Sequence, residues 1–308
     1  MQFSVFQQSH IGGRKVNQDR MGYSYTRDAL LLVLADGMGG HLRGEIAATI
    51  TLQALSSEFQ KQATPYVRKP ERFLEEAFAR AHHEILRYAE AHGLPDAPRT
   101  TVVACLVQHN CAVWAHCGDS RIYWVRGGQV LARTRDHSHI EHLIANGRAD
   151  PSERSTHPDR NKLYNCLGAS LPPKVELSRQ ASLQAGDVLL LCSDGLWGML
   201  PDAEIVHRLA NHTIVRAVPD MIAMATAIAG AKADNTTALA ITWQGADEGT
   251  GGAGMISTQM LPEDQVSSTI SNVDAAIDPN ADPFDEDEIE RAIAEINQAI
   301  EKSSQLLK

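Results

Sequence analysis

An α+β fold is predicted for this chain, and three features predict it. Apolar residues alternate singly in some segments and recur at three- and four-residue steps in others, the periods of strand and helix. The β-rich runs near the middle are separated by short turn signals, as antiparallel neighbours are. Two uninterrupted apolar runs, Leu30 to Ala35 and Val188 to Cys192, read as buried strands.

In chain order, Phe3 to Gln7 and Gly22 to Thr26 alternate like strands, and Leu30 to Ala35 ends in Asp-Gly. Gly44 to Gln60 and Glu71 to Ala91 carry helical spacing, with Pro70 near the first position of the second helix. Thr100 to Gln108, Ala112 to His116 and Arg121 to Val125 form an antiparallel meander, broken by His-Asn and by Gly-Asp-Ser. From Thr134 to Pro173 the pattern weakens, leaving one short helical candidate at His139 to Asn146. Long irregular segments inside a domain are often functional. After Val188 to Cys192 come helical patterns at Asp202 to Asn211 and Pro219 to Ala231, then a last strand at Thr236 to Trp243.

Beyond that strand the composition changes. Residues 245–283 are Gly-rich, then polar and Pro-spaced, which reads as a flexible linker. In 284–308 an acidic start leads into Ile289, Ile293, Ile296 and Ile300, an amphipathic helix that either packs back, lies free or docks a partner. The expected organisation is one domain over 1–244, the linker, and this acidic helix.

The 308 residues carry a net charge of −10, unevenly placed. From Gly245 onward there are 14 Asp and Glu against 3 Lys and Arg, so the body is nearly neutral and the tail acidic. Neither part has the basic cluster that nucleic acid or an anionic membrane requires. The longest apolar stretches fall short of the roughly 20 residues of a spanning helix, and the start lacks the pattern of a secretory signal. Those features predict a cytoplasmic protein. Five cysteines without a CxxC pair read as buried free thiols, and the pairs His82/His83 and His137/His139 read as surface or loop residues, since neither has zinc spacing.

Three aspartates share one local context, an apolar run followed by Asp and then Gly or Asn: Asp36, Asp194 and Asp234. One such residue is a common turn device. Three whose strand ends converge would repel one another, and a divalent cation removes that repulsion. All-oxygen ligation favours Mg²⁺ or Mn²⁺ over zinc. Two such ions can lower the pKa of a water for attack on phosphorus while offsetting charge on the phosphoryl oxygens.

At these residues the chain resembles the bacterial form of the metal-dependent serine/threonine phosphatase family, the protein phosphatase 2C-like enzymes. The motifs run in order: GGRKVNQDR at Gly12, ADGMGGH at Ala35, TTVVA at Thr100, GDSRIY at Gly118, TRDHS at Thr134, HPDRNKL at His157, LGAS at Leu167, SDGLW at Ser193 and DNTT at Asp234. The resemblance covers about residues 3 to 243 and implies an α-β-β-α sandwich of two antiparallel sheets flanked by helices. It further implies a phosphoprotein phosphatase with two Mn²⁺ or Mg²⁺ ions and, in bacterial members, a third.

Site residues follow from the same resemblance. Asp36 corresponds to the carboxylate bridging both metals, with the Gly37 carbonyl as a further ligand. Asp194 and Asp234 correspond to the remaining direct ligands of one ion, and Asp19 to a residue holding the site through bound waters. Arg14 corresponds to the phosphate-binding arginine, whose planar guanidinium grips two oxygens at once. Asp119 is either a third-metal ligand with Asp194 or a turn residue. The segment Thr134 to Ser170 corresponds to a mobile flap, in which Asp136 and His137 fix the local turn and His157 and Arg160 are candidates to touch a phosphopeptide.

Departures from the family pattern are equally specific. Gln18 stands where Glu is usual, which implies weaker binding at one metal. Met38 replaces the histidine of many eukaryotic members, which leaves water to protonate the leaving alkoxide. Arg99 stands in place of Gly before Thr100, so the loop there must differ. The leading expectation is a phosphatase of phosphoserine and phosphothreonine proteins opposing a cytosolic kinase, its water activated by a dinuclear centre. The alternative is a weak or inactive relative that keeps the fold for binding.

Overall fold

The strand β3, Ala29–Asp36, shows how the molecule is layered. Its Leu30, Leu32 and Leu34 pack with Val103, Leu189, Leu191, Leu239 and Trp243, whereas Leu31, Val33 and Ala35 pack with Ala47, Leu55, Phe59 and Phe78. Side chains alternate across a strand, so an unbroken apolar run is what a strand covered on both faces requires. The description rests on a computed structural model that covers residues 1–38, 43–155, 157–159, 162–245 and 267–270.

Around β3 the elements follow in order: β1 (Gln2–His10), β2 (Asp19–Tyr25), α1 (Gly44–Gln62), α2 (Pro70–Ala91), β4 (Val102–Gln108), β5 (Cys111–Cys117), β6 (Arg121–Arg126), β7 (Gln129–Arg133) and α3 (His139–Ala145). Then come β8 (Glu176–Leu177), β9 (Ala181–Ser182), β10 (Val188–Cys192), α4 (Asp194–Trp197), α5 (Asp202–Asn211), α6 (Ile214–Ala229), β11 (Thr236–Gly245) and β12 (Ser267–Ser268). One sheet has the order β1-β11-β10-β6-β7; the other runs β12-β2-β3-β4-β5-β8, with β9 also on β5. Every pairing is antiparallel.

Apolar clusters fix the layers. Leu30, Val103, Leu189 and Leu239 lie between the sheets. The helices α1 and α2 cover the outer face of the larger sheet through Ala47, Leu55, Phe73 and Phe78, while α5 and α6 cover the smaller through Ile205, Leu209, Met221 and Ile222. This is the α-β-β-α sandwich that the resemblance implied.

Two elements differ from expectation. Helix α6 starts at Ile214, not Pro219, because Ile214, Ala217, Val218, Met221, Ile222 and Ala225 form one buried stripe that carries the helix through the proline. Together with the turn after it, Ile214–Lys232 is long and apolar enough by composition to cross a membrane, with mean hydropathy 1.4. Its apolar stripe instead packs on β1 and β11, as a core helix does. Scanning for unbroken apolar runs passed it over, since Arg216 and Asp220 interrupt them.

The second difference lies in the stretch read as a linker. Ser267 and Ser268 pair with Tyr25 and Ser24 on the edge of β2, and the Thr269 amide donates to the Tyr23 carbonyl at 2.9 Å. Ile270 is buried against the α1/α2 layer, in the space left by Gly22, where a Cβ would lie 2.6 Å from Ile270 Cγ1. A strand edge presents unpaired amides and carbonyls to any extended segment. Residues 271–308, including the amphipathic helix, lie outside the described residues.

Candidate metal centre

Antiparallel register brings five chain positions to one end of the sandwich. Asp19 opens β2 and Asp36 closes β3, directly opposite each other. Asp119 lies in the turn joining β5 to β6, Asp194 follows β10, and Asp234 precedes β11. The pairing of Cys192 with both Arg121 and Ala238 sets those last three at the same level. Thus the aspartates singled out by sequence converge, although as many as 215 positions separate them.

Their electrostatics are unfavourable in the absence of a counter-charge. Burial, followed by Asp19, Asp194, Asp119 and Asp234, pushes the Asp36 carboxyl well above the usual carboxylate range. Burial and then Asp194 do the same to Asp119. Burial raises Asp19 to about 6, and burial with Asp234 and Asp19 raises Asp194 to about 7. Asp36 lies within hydrogen-bonding reach of both Asp19 and Asp194, and that contact lowers their values. A cation placed among these carboxylates would offset their repulsion.

Neighbouring groups orient the carboxylates without neutralising them. The Ser193 hydroxyl donates to Asp19 Oδ2 at 2.8 Å and accepts from the Thr237 amide at 3.0 Å. Asp19 Oδ1, also buried, has no hydrogen-bond partner among the described residues. Thr100 donates to the Asp36 carbonyl at 2.8 Å, and its backbone bridges Gly37. Asn235 accepts from the Gln18 amide at 2.8 Å and donates to Ile11 and Val16, which ties the loop before β2 to the start of β11. Ser193 and Asn235 lie in the SDGLW and DNTT motifs, and only the fold shows their role as partners of Asp19 and Gln18.

Arg14 reaches the site by a local device. Gly12, with φ +66°, and Gly13 lie so close to the backbone of Ala231 to Asp234 that a Cβ on either would meet a carbonyl oxygen at 2.3 Å. That approach sets the Arg14 guanidinium on Asp234 in a bidentate pair, at 2.8 and 2.6 Å. Among the described residues, Asp234 is thereby the one aspartate of the five whose carboxylate pairs with a cation. Gln18 gives its side-chain amide to Glu45 at 3.0 Å, at the start of α1, where a second carboxylate would be repelled.

The flap side is structural where it is described. Asp136 forms a buried bidentate pair with Arg121 at 2.8 and 2.7 Å, and the His137 amide donates to the Gly118 carbonyl at 2.9 Å, so both fix the turn as expected. His82 is buried in α2, which corrects its reading as a surface or loop residue, whereas His137 lies in a loop as read and is buried there. His116, His137 and Glu176 come close enough to suggest a second metal site. Yet His137 Nδ1 accepts from the Gly118 amide and from Asn165, so the proton sits on Nε2 and is donated to Glu176 at 3.2 Å. Burial and His116 lower His137 to about 4, and the trio is a hydrogen-bonded turn. Arg160 lies outside the described residues. All five cysteines are free, as expected.

Comparison with known proteins agrees with this geometry. The family model for protein phosphatase 2C matches residues 6–230. The serine/threonine phosphatase stp of Listeria innocua is 32% identical over 232 residues, 74% of this chain and 90% of that protein. The structure of Stp1 from Staphylococcus aureus superposes with a TM-score of 0.71 at 31% identity, covering 80% of this chain and 96% of that one. The catalytic domain of the phosphatase PstP, in complex with 2 manganese ions, gives 0.66 at 28% identity over 78% and 97%.

Proposed function

The chain belongs to the protein phosphatase 2C family, and from that premise we propose that it hydrolyses phosphate monoesters on serine and threonine of phosphoproteins. One observation carries the reading: Asp19, Asp36, Asp119 and Asp194 crowd together with raised proton affinities, and the buried Asp19 Oδ1 has no partner among the described residues. A set of hard oxygen donors with surplus negative charge fits Mn²⁺ or Mg²⁺.

On this reading Asp36, the Gly37 carbonyl, Asp194 and Asp234 would hold two ions, Asp19 would support the site through waters, and Asp119 with Asp194 would take a third. Bound ions supply Lewis acidity at the phosphoryl oxygens and a water acidic enough to attack near neutral pH. The chain's own residues do the rest. Asp36 would serve as the carboxylate common to both ions. Arg14 turns from Asp234 to the phosphoryl group, exchanging one bidentate partner for another of the same geometry. The side chain of Met38 offers no proton, which leaves solvent to protonate the leaving alkoxide. Phosphoryl transfer asks little more of a protein than positioning and charge compensation.

The catalytic unit proposed is 1–244, acting in the cytoplasm on products of a serine/threonine kinase. The acidic helix at 284–308 is proposed as a partner-docking element, and deleting residues 272–308 should lower capture of that partner while leaving small-substrate turnover. Purified protein with Mn²⁺ should hydrolyse a phosphothreonine peptide and p-nitrophenyl phosphate, and EDTA should stop both. Full activity in excess EDTA would sink the proposal.

A further inference from the structure

Among the described residues, Arg99 is the one half-buried arginine with neither a hydrogen bond nor an ion pair, and its Nε is buried without a partner. The other partly or fully buried arginines are satisfied: Arg20 by Asn17 and Asp19 carbonyls, Arg121 by Asp136, Arg126 by Asp187, Arg133 by Asp202, Arg154 by Glu141 and Arg208 by Glu204. A guanidinium Nε withdrawn from water without an acceptor is unfavourable, so it calls for an acceptor that the described residues do not supply.

The position of Arg99 says where that acceptor comes from. Its carbonyl accepts from the Met38 amide at 2.9 Å, two residues past Asp36. The next residue, Thr100, bridges both Gly37 and Leu167, where the flap segment rejoins the body. Arg99 thus stands at the rim of the aspartate pocket, beside the end of the flap. Its charge is felt at Cys166, next to Leu167 at that flap end.

We propose that Arg99 is a specificity-determining residue that receives an acidic side chain next to the phosphorylated residue, so that the enzyme selects acidic phosphopeptides. This rests on the phosphatase reading for its substrate, and on the unpaired rim guanidinium for its selectivity. A carboxylate fits the fork bidentately, in the same way that Asp136 fits Arg121. Arg14 and Arg99 then divide the work, one for the phosphoryl group and one for the neighbouring anion.

The test compares phosphothreonine peptides with glutamate, with a second phosphoserine or with alanine beside the phosphothreonine, in the full-length Mn²⁺-loaded enzyme. Wild type should prefer the acidic peptide by about tenfold in kcat/KM, the size of one charge-assisted hydrogen-bonded pair, with the difference in KM. Arg99→Gln should erase the preference and Arg99→Lys should keep part of it, with thermal melting confirming that both are folded. An unchanged acidic-to-alanine ratio in Arg99→Gln overturns the proposal, as does a wild type without preference. Preference for the second phosphate alone assigns the site to phosphate and overturns the carboxylate assignment. Should no peptide turn over, the phosphatase reading fails, and peptide binding to Asp36→Asn with and without Arg99→Gln still decides. Equal affinities there, or no acidic preference, count against Arg99.

Discussion

Two groups of buried charge lie side by side at the end of the sandwich, and they are built oppositely. In one, Arg121 and Asp136, each with a side chain only 4% exposed, form a bidentate pair. Arg121 also stacks on Trp197 at 3.6 Å and donates to Tyr123, which donates to Asp202, itself bound by Arg133. In the other, two residues before Arg121, Asp119 joins Asp19, Asp36 and Asp194 in mutual repulsion. A structural buried charge closes on a partner within the chain. A buried charge kept for a ligand closes only when that ligand arrives.

Substituting Asp36 should separate the two groups most sharply. Asp36→Asn is expected to lower Mn²⁺-dependent kcat/KM at least about a thousandfold, about 4 kcal/mol of transition-state stabilisation. The same change should raise the melting temperature of the metal-free protein, because one repelling carboxylate is gone. A variant that is inactive and also less stable without metal would show that the aspartate pocket is self-satisfied like its neighbour.

The converse experiment acts on the closed group. Arg121→Met leaves Asp136 buried without its cation and is expected to destabilise by about 3–5 kcal/mol, read from urea unfolding. Adding Asp136→Leu should recover most of that loss, since replacing both members of a buried pair by apolar groups is often neutral. Failure of the double variant to recover would point to Asp136 serving more than Arg121.

The pH dependence of the metal-free protein sharpens the comparison further. Asp19 and Asp194 bind protons more tightly folded, at about 6 and about 7, than their unfolded value of 3.8. Between about 4 and 7 the folded state therefore holds more protons, so stability should fall as pH rises through that window. Each proton contributes at most about 1.4 kcal/mol per pH unit. Melting curves in EDTA should show the decline, and saturating Mn²⁺ should flatten it. A stability that rises steadily over this range in EDTA would mean that the aspartates are not stressed.

How much of this was legible beforehand depended on range along the chain. Leu30 to Ala35 announced a strand covered on both faces, because burial on both sides leaves its record in consecutive residues. Asp36, Asp194 and Asp234 were recognisable by local context and ordered motifs. What the one-dimensional pattern withheld was partnership at a distance: Ser193 with Asp19 across 174 positions, Gln18 with Asn235 across 217. The state of Arg99 was equally hidden, since only a fold can show that a guanidinium has no acceptor. Helix α6 runs back from Pro219 to Ile214 because a buried stripe through the proline, legible only once the core is known, sets its start.

The smallest effect expected concerns the other end of β2, and it asks whether a satisfied edge matters to the stressed pocket. Tyr23 donates its amide to the Thr269 hydroxyl at 3.0 Å and accepts the Thr269 amide, while Ile270 fills the space above Gly22. Placing a side chain there should expel Ile270, so Gly22→Val is expected to speed amide exchange at Tyr23 and to lower stability by about 1 kcal/mol. Ile270→Asp should reproduce the faster exchange with no new side chain on β2, which separates loss of the docked strand from overpacking. Because β2 carries Asp19 at its far end, Mn²⁺ affinity of both variants reports whether the edge strand braces the pocket. An affinity equal to wild type, with exchange at Tyr23 accelerated, would show that the two ends of β2 are energetically independent.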